Sequence, residues 1–218
     1  MINDKPYIPA LRFRFLTPLY DPVLRWGMRE LTFKRRLIEE ARIASGFHVL
    51  DLGCGTGTLT VLLKQTHPEA EIIGMDGDPT MLKIARAKAA LQNLTIPFDE
   101  GMAFQLPYPD DSFDRVVSSL MFHHLAIEDK PRALHEAYRT LKSGGELLIV
   151  DFAKPGNFLA WAISRIMRRM EKADDLIQGG LTAMIQRAGF QDAQISEQFM
   201  TIFGTLALYR GKKPQRKC

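Results

Sequence analysis

The feature that most constrains this chain is a glycine-rich stretch that directly follows an apolar run. From Val49 to Gly57 the sequence reads V-L-D-L-G-C-G-T-G, with three glycines at alternate positions. The apolar residues are typical of a buried strand in a parallel sheet, and residues 59–64 have a helical composition. Glycine lets the backbone adopt positive φ and approach a ligand closely. Strand, glycine loop and helix together predict a nucleotide-type site at the carboxyl end of the strand.

The glycine spacing differs from that of a dinucleotide-binding loop. The dinucleotide pattern is G-x-G-x-x-G, whereas this chain has G-x-G-x-G, with Thr58 at the third dinucleotide position. Asp51 stands beside the glycines, where its charge would repel a pyrophosphate and attract an ammonium group. A tight turn that binds no ligand is the alternative interpretation.

The same stretch resembles the first motif of the class I S-adenosylmethionine-dependent methyltransferases. Their cofactor, S-adenosylmethionine, lacks phosphate and carries both an α-amino group and a sulfonium. The resemblance implies cofactor contacts from five residues of the motif: Asp51, Gly53, Cys54, Gly55 and Gly57.

Composition and length indicate one α/β domain covering residues 1–218. The hydrophobic fraction of 46% and the charged fraction of 25% are ordinary for a globular protein. No apolar run approaches the roughly 20 residues that cross a membrane, and charged residues interrupt the N-terminus where a signal core would lie. Two cysteines form neither a disulfide framework nor a metal site, so we expect a cytoplasmic protein without a metal. The basic C-terminal tail is interpreted as solvated.

Residues 1–46 are predicted to form an N-terminal helical lid. Apolar residues recur at helical spacing from Val23 to Ala41, and Gly46 then precedes the first strand. The stretch T-P-L-Y-D-P resembles a Y-D segment that many small-molecule methyltransferases place over the cofactor. Tyr20 is therefore a candidate substrate contact, and a tyrosine packed in the core is the alternative.

A second strand is predicted over Glu71 to Met75, and Asp76 ends it. An acid near 20 residues past the glycines is placed to accept both ribose hydroxyls of a nucleoside. Asp78 and the proline after it predict a helix N-cap. Gly77 and Met81 complete this part of the predicted cofactor site, with Met81 on the first helical turn, where it would touch adenine.

Residues 94–98 predict a short third strand, followed by the loop D-E-G-M-A. The resembling family usually has G-D-A here, and its acid accepts a hydrogen bond from the adenine amino group. Met102 occupies that place in this chain. A thioether is a weak acceptor that packs well on a flat ring, so packing and the backbone of Met102 and Ala103 are expected to hold adenine.

The stretch L-P-Y-P-D-D-S-F-D-R-V-V-S-S-L-M-F-H-H-L resembles the same family and predicts a fourth strand over residues 115–119. Ligands of open α/β sheets bind beyond the carboxyl ends of the strands. Ser118, Ser119 and Leu120 are therefore expected to face the sulfonium end of the cofactor. His123 and His124 follow on that rim and are the candidate catalytic bases, with helix capping or packing as the alternative.

The rest of the chain predicts a helix over residues 129–141, a glycine turn, a strand over 146–152 and a helix over 181–188. Two further strands, residues 191–197 and 199–210, are too close for a helix between them and predict an antiparallel hairpin. Residues 154–180 are predicted to form a basic, amphipathic helical insert that contains Trp161, a second candidate substrate contact. A lid packed on the domain is one interpretation of this insert, and a membrane-surface helix is the other.

The resemblance implies a Rossmann-like, seven-stranded, mostly parallel sheet with helices on both faces and a C-terminal antiparallel hairpin. It covers residues 47–152 by motif, and its subfamily features are similar to those of the ubiquinone/menaquinone-biosynthesis and phospholipid N-methyltransferases. The predicted reaction is direct displacement of the methyl group onto a small molecule, with lipid-like or quinone-like acceptors included. Nucleic acid is not an expected partner, peripheral membrane contact and oligomeric state stay open, and the alternatives are a nicotinamide-dependent oxidoreductase and a non-catalytic cofactor-binding module.

Overall fold

A computed structural model describes residues 30–153, 180–201 and 204–216. Most of the predicted N-terminal lid and nearly all of the predicted insert lie outside these ranges. Tyr20 and Trp161 lie outside them too, so their candidate roles stay predictions.

The described residues alternate between helices and strands as the motif order predicts. In chain order they are α1 (Glu30–Ala41), β1 (His48–Leu52), α2 (Thr58–Thr66), β2 (Glu71–Asp76), α3 (Pro79–Leu91), β3 (Phe98–Glu100), β4 (Phe113–Ser119), a 3₁₀ turn (Phe122–His124), α4 (Asp129–Thr140), β5 (Leu141–Phe152), α5 (Gly180–Arg187), β6 (Gln191–Thr201) and β7 (Gly204–Lys212).

One sheet contains the seven strands in the order β3-β2-β1-β4-β5-β7-β6. The pairs from β3 to β5 are parallel, whereas β7 runs antiparallel to both β5 and β6. The predicted sheet and its C-terminal antiparallel hairpin are therefore confirmed. The strand order reverses between β1 and β4, and the carboxyl ends of these two strands form the switch point where such sheets bind ligands.

Helices cover both faces of the sheet because the central strands are apolar on both sides. Along β5, Leu147 and Ile149 pack with α4 and α5, while Leu148 and Val150 pack with α1 and α2. All four side chains are fully buried. This continuous burial is typical of a parallel sheet between two helical layers.

The third strand lies later in the chain than predicted. It begins at Phe98, and the apolar residues Leu94 and Ile96 before it pack beside α3 instead of joining the sheet. Pro97 separates the two parts, because proline has no backbone N–H for a sheet ladder, although its carbonyl accepts a hydrogen bond from Gly74.

The prediction of a glycine turn between α4 and the fifth strand is also wrong. β5 begins immediately after α4, and Gly144 and Gly145 lie inside it. The pairing with β4 shifts register at this point, which marks an irregularity in the strand. Gly144 has a φ of +79°, so glycine accommodates the irregularity that a side chain would strain.

The C-terminal hairpin reverses later than predicted, and the tail is not fully solvated. β6 extends to Thr201 and β7 to Lys212, so residues 199–201 belong to the first of the two strands. Lys213 is buried, and its ammonium group donates to Asp111 and to the carbonyl of Leu141. The prediction of a solvated tail is therefore wrong at Lys213, because partners distant in sequence hold this charge.

Candidate active site at the carboxyl end of the sheet

The glycine loop after β1 has left-handed backbone geometry at three positions, with φ of +71° at Gly53, +53° at Gly55 and +74° at Gly57. A Cβ at Gly53 would lie 2.2 Å from the Met121 side chain, and one at Gly57 would lie 2.7 Å from that of Ala85. A Cβ at Gly55 would meet no protein atom within 4 Å. The outer glycines therefore permit close packing, and Gly55 faces the open space where a ligand would approach.

Asp76 fastens the glycine loop to the end of β2. One of its carboxylate oxygens accepts the N–H of Gly55 at 2.8 Å, and the other accepts the N–H of Asp78 at 2.9 Å. Burial raises the pKa of Asp76 despite these hydrogen bonds. Each oxygen retains a second lone pair, so the carboxylate can accept two ligand hydroxyls while it holds the loop.

Asp51 lies wholly inside the protein at the end of β1. Its Oδ2 accepts the Thr60 hydroxyl at 2.6 Å, whereas Oδ1 has no hydrogen-bond partner among the described residues. Burial raises the Asp51 pKa to about 6, although the Thr60 bond and the positive charge of Lys34 oppose the shift. An unpaired buried acceptor is unfavourable by itself, and a cationic donor would relieve it.

Lys34 belongs to α1, the described part of the predicted lid. Its side chain is buried and pairs with Glu30 one turn earlier. α1 packs with α2 on one face of the sheet, where Phe33 and Leu37 join the buried cluster that contains Leu59. The described end of the predicted lid is therefore packed on the sheet.

The predicted adenine side of the site lies beyond the end of β2. A Cβ at Gly77 would lie 3.1 Å from the Met102 sulfur, so Met102 covers Gly77 next to Asp76. Met102 stays 38% exposed, whereas Ala103 is buried in the core. Met81 lies partly exposed on the first turn of α3. Met102 therefore offers an apolar surface beside the nucleoside position.

Two residues predicted to contact the cofactor direct their side chains into the protein. Cys54 is 8% exposed and packs beneath the loop, and burial raises its thiol pKa so that the group stays protonated. Ser118 is fully buried and donates to the carbonyl of Leu52 at 2.8 Å. The Ser118 hydroxyl joins the ends of β4 and β1 beneath the site, and the Cys54 thiol packs against α3. Neither side chain faces the ligand space.

Ser119 ends β4 at the rim of the sheet and Leu120 follows it, and both are partly exposed. Leu120 has a φ of +56°, a conformation that a side chain disfavours, and its N–H donates to the carbonyl of Val150 at 2.8 Å. Residues held in such conformations cluster at functional sites. The chain therefore turns sharply where the cofactor and the acceptor are expected to meet.

His123 and His124 follow in the 3₁₀ turn, and their rings lie 3.9 Å apart. Nδ1 of His123 lies 2.8 Å from Oδ1 of Asp151, a fully buried acid near the end of β5. Desolvation of the His124 ring and, to a lesser extent, the neighbouring His123 lower the His124 pKa. Burial opposes ionisation of Asp151, but the interactions with His123 prevail and lower its pKa.

Asp151 is a candidate site residue that the sequence did not predict, because the stretch E-L-L-I-V-D-F was interpreted as a structural strand. The available signal was positional. Asp51, Asp76 and Asp151 each stand at or near the carboxyl end of an apolar strand, which is the edge where ligands bind.

Comparison with known proteins places these features in a family. A model described as a methyltransferase domain matches residues 49–145. A demethylmenaquinone methyltransferase from Thermus thermophilus is 33% identical over 226 residues, covering 93% of this chain and 100% of that protein. A ubiquinone/menaquinone biosynthesis C-methyltransferase from Pseudoalteromonas translucida is 32% identical over 240 residues, covering 97% of this chain and 92% of that protein.

The chain belongs to the class I S-adenosylmethionine-dependent methyltransferases. Among solved structures, the cyclase SpnF aligns with a TM-score of 0.72 and 19% identity over 92% of this chain and 93% of that one, which supports the fold alone. The predicted activity class is confirmed, and the oxidoreductase and the non-catalytic module are not favoured. None of the described helices is long and apolar enough to cross a membrane.

The site of this methyltransferase fits S-adenosylmethionine, the cofactor of its class. The unpaired Oδ1 of Asp51 suits the cofactor ammonium, and the spare lone pairs of Asp76 suit the ribose hydroxyls. The space beside Gly55 admits a ligand that a Cβ would obstruct. The remaining predicted contacts, which include Gly77, Met81, Met102, Ala103 and Leu120, stay proposals.

Proposed function

We propose that this methyltransferase transfers the methyl group of S-adenosylmethionine to a ring carbon of a small quinone-like acceptor. The observation that carries the proposal is the likeness to two relatives named for quinone biosynthesis, which match 93% and 97% of this chain. A resemblance that spans the whole domain includes the acceptor side of the site as well as the cofactor motif.

The residues of the cofactor side act by positioning. Asp51 would hold the ammonium group, Asp76 the ribose and the glycine loop the backbone of the cofactor. When bound, the cofactor supplies a methyl group that the sulfonium has already activated. Orientation in line with the departing sulfur and exclusion of water therefore account for most of the rate, and metal assistance is not part of the proposal.

The acceptor side is formed by the rim after β4. Leu120 and Met121 give it an apolar surface. His123 and His124 follow as the candidate bases, although the lowered pKa of His124 disfavours its protonation. Tyr20 and Trp161 stay sequence-based candidates for acceptor contacts, because both lie outside the described residues. Such a site suits an apolar ring with a polar substituent better than a nucleic acid.

The test uses S-adenosylmethionine labelled in its methyl group and a short-chain demethylmenaquinone, supplied either oxidised or reduced with dithionite. We expect the label in a low-mass product, and nuclear magnetic resonance of that product should locate the new methyl group on a ring carbon. Label that precipitates with protein or nucleic acid, or a methyl group on oxygen, would contradict the proposal.

A cytoplasmic protein that touches the membrane only peripherally would suit such an apolar acceptor. The basic segment of residues 154–180 carries this part of the proposal, since arginines among apolar residues favour anionic lipid surfaces. Sedimentation with vesicles of phosphatidylglycerol should retain the protein more than sedimentation with phosphatidylcholine. Equal retention on both would remove the membrane contact and leave the acceptor proposal intact.

A further inference from the structure

Met102 is a large apolar side chain that stays 38% exposed beside the position expected for the cofactor ribose. It lies in the loop after β3, and its sulfur would lie 3.1 Å from a Cβ at Gly77. Gly77 directly follows Asp76, which accepts the N–H of Gly55, the residue that faces open space. Contiguous contacts therefore join Met102 to the space in which the cofactor would bind.

Gly77 and Met102 complement each other in shape. Because Gly77 has no side chain, the thioether of Met102 lies where a side chain at position 77 would begin. A Cβ there would lie 3.1 Å from the Met102 sulfur and 3.6 Å from its terminal methyl group. The apolar surface next to Asp76 is therefore provided by the loop after β3 and not by the residue that follows Asp76 in the chain.

Backbone hydrogen bonds hold the Met102 loop in place. The N–H of Gly101 donates to the carbonyl of Asp76 at 3.1 Å, which joins the loop to the end of β2. The N–H of Gln105 donates to the carbonyl of Met102 at 2.9 Å, which closes a tight turn. Met102 is thus presented from a fixed backbone, as a residue that recognises a ligand needs to be.

Four acids stand between the end of β2 and the Met102 loop, and three of them already accept hydrogen bonds. Asp76 accepts two backbone N–H groups, and Asp78 caps α3. Asp99 accepts a tyrosine hydroxyl at 2.8 Å. The fourth acid, Glu100, is exposed at the end of β3. An experiment on Met102 must therefore separate its effect from that of Glu100.

A thioether recognises a base differently from a carboxylate. A carboxylate accepts a hydrogen bond from an exocyclic amino group, whereas a thioether is a weak acceptor that packs well on a flat ring. Removal of the amino group from the base therefore lowers affinity at a carboxylate and has little effect at a thioether. Because Met102 is partly exposed, a base packed on it can keep its amino edge in contact with water.

We infer that Met102 binds the base of the cofactor by apolar contact and makes this methyltransferase tolerant of changes at the 6-amino group of adenine. Met102 would thus determine specificity for the base and take no part in methyl transfer. The inference concerns the cofactor alone, so it goes beyond the proposed function and does not depend on the acceptor.

The first test measures the binding of two stable cofactor analogues to the wild-type protein by calorimetry. One is S-adenosylhomocysteine, and the other is its purine riboside counterpart, which lacks only the 6-amino group and keeps the ring nitrogens. We expect the two affinities to agree within about threefold, because a thioether hardly distinguishes them. A larger preference for adenine, above all one that Glu100→Gln removes, would overturn the inference.

The second test introduces an acceptor at the same position. Met102→Asp should prefer S-adenosylhomocysteine to the purine analogue by at least about tenfold, since a hydrogen bond to a charged group contributes that much. The ratio of the two affinities is the readout, so a general loss caused by the nearby charge of Asp76 cancels. If Met102→Asp does not fold, Met102→Asn replaces it with a smaller preference of the same sign. A folded variant with the wild-type ratio would overturn the inference.

The third test concerns the apolar contact itself. Met102→Leu should bind both analogues as wild type does, whereas Met102→Ala should weaken both equally, by about five- to tenfold, because it removes the surface that covers Gly77. Leu91→Ala is the matched control, since Leu91 is 82% exposed at the end of α3, and it should change neither affinity. Unchanged binding by Met102→Ala would mean that Met102 does not contact the base.

These measurements use no acceptor, so the inference and the proposed function can fail separately. Methyl transfer to a molecule other than a quinone would contradict the proposed function and leave the role of Met102 intact. A strong preference of the wild-type protein for the 6-amino group, together with methyl transfer to a quinone, would contradict the role of Met102 alone.

Discussion

At the scale of single residues, the three acids at the strand ends differ in the hydrogen bonds that their oxygens already accept. Each oxygen of Asp76 accepts one backbone N–H, and one oxygen of Asp51 has no partner among the described residues. The oxygens of Asp151 accept hydrogen bonds from Phe152 and His123. Local pattern and the family resemblance predicted the positions of the first two. The third was missed because its partner, His123, lies 28 residues away in sequence and only the fold brings them together.

Replacing Asp76 by alanine should weaken the binding of S-adenosylmethionine by more than tenfold. Hydrogen bonds to a charged group contribute about 1.5–3 kcal/mol, and tenfold corresponds to about 1.4 kcal/mol. Asp78→Ala is the matched control, because Asp78 caps α3 through the N–H of Thr80. It should lose about 1 kcal/mol of stability and keep its affinity. Calorimetry on both folded variants decides, and equal affinities would remove Asp76 from the site.

The raised pKa of Asp51 predicts that cofactor affinity depends on pH. Below about pH 6 the carboxyl group is protonated and cannot pair with an ammonium group, so affinity should fall steadily as the pH decreases from 7 to 5. Just above that range it should level off, until the α-amino group of the cofactor loses its proton at about pH 8. Asp51→Asn should bind weakly at every pH in this range, and a pH-independent wild type would contradict the role of Asp51.

The same group predicts the opposite trend for the stability of the cofactor-free protein. The folded-state pKa lies above the unfolded value, so the protonated group stabilises the fold at low pH and this stabilisation is lost as pH rises through about 6. Without cofactor, Asp51→Asn should therefore have a higher melting temperature than wild type at pH 8. A lower one would show that the buried charge is already well compensated.

At the scale of elements, the glycine loop was predictable and the irregular strands were not. Alternate glycines after an apolar run identify the loop from local sequence alone. By contrast, β3 was misplaced because Leu94 and Ile96 look like strand residues, while their burial beside α3 depends on tertiary packing. The glycines inside β5 likewise resemble a turn, and only the pairing with β4 reveals an irregular strand.

The loop offers a matched pair of substitutions. Gly55→Val should abolish cofactor binding because its side chain enters the ligand space, where a Cβ meets no protein atom within 4 Å. The protein should still fold, with a stability lowered only by the strain of valine at positive φ. Gly57→Val should instead destabilise the fold, since its Cβ would lie 2.7 Å from that of Ala85. Circular dichroism and calorimetry together distinguish the two. Normal binding by Gly55→Val would mean that the loop is only a turn.

At the scale of the whole molecule, the family resemblance predicted the sheet but not the contacts that hold the C-terminal segment against it. Strand order and the antiparallel hairpin follow from the motif order, but charge composition suggested a solvated tail. In the structure, Lys213 donates to Asp111, 102 residues earlier, and to the Leu141 carbonyl where α4 meets β5. Its backbone also bonds with Gly144 and Gly145 in the irregular part of β5. Contacts at such sequence separation leave no local signal.

Lys213 therefore predicts how the end of the chain contributes to the fold. Lys213→Met should lower the free energy of unfolding by about 1–3 kcal/mol, because it leaves a buried carbonyl unpaired and removes the partner of Asp111. Lys212→Met is the matched control at the adjacent, less buried position and should change stability little. Urea unfolding of both variants measures the difference. Truncation after Arg210 should be more damaging than Lys213→Met, since it also removes the last two residues of β7. If the truncated protein unfolds at the wild-type urea concentration, the C-terminal segment does not stabilise the sheet.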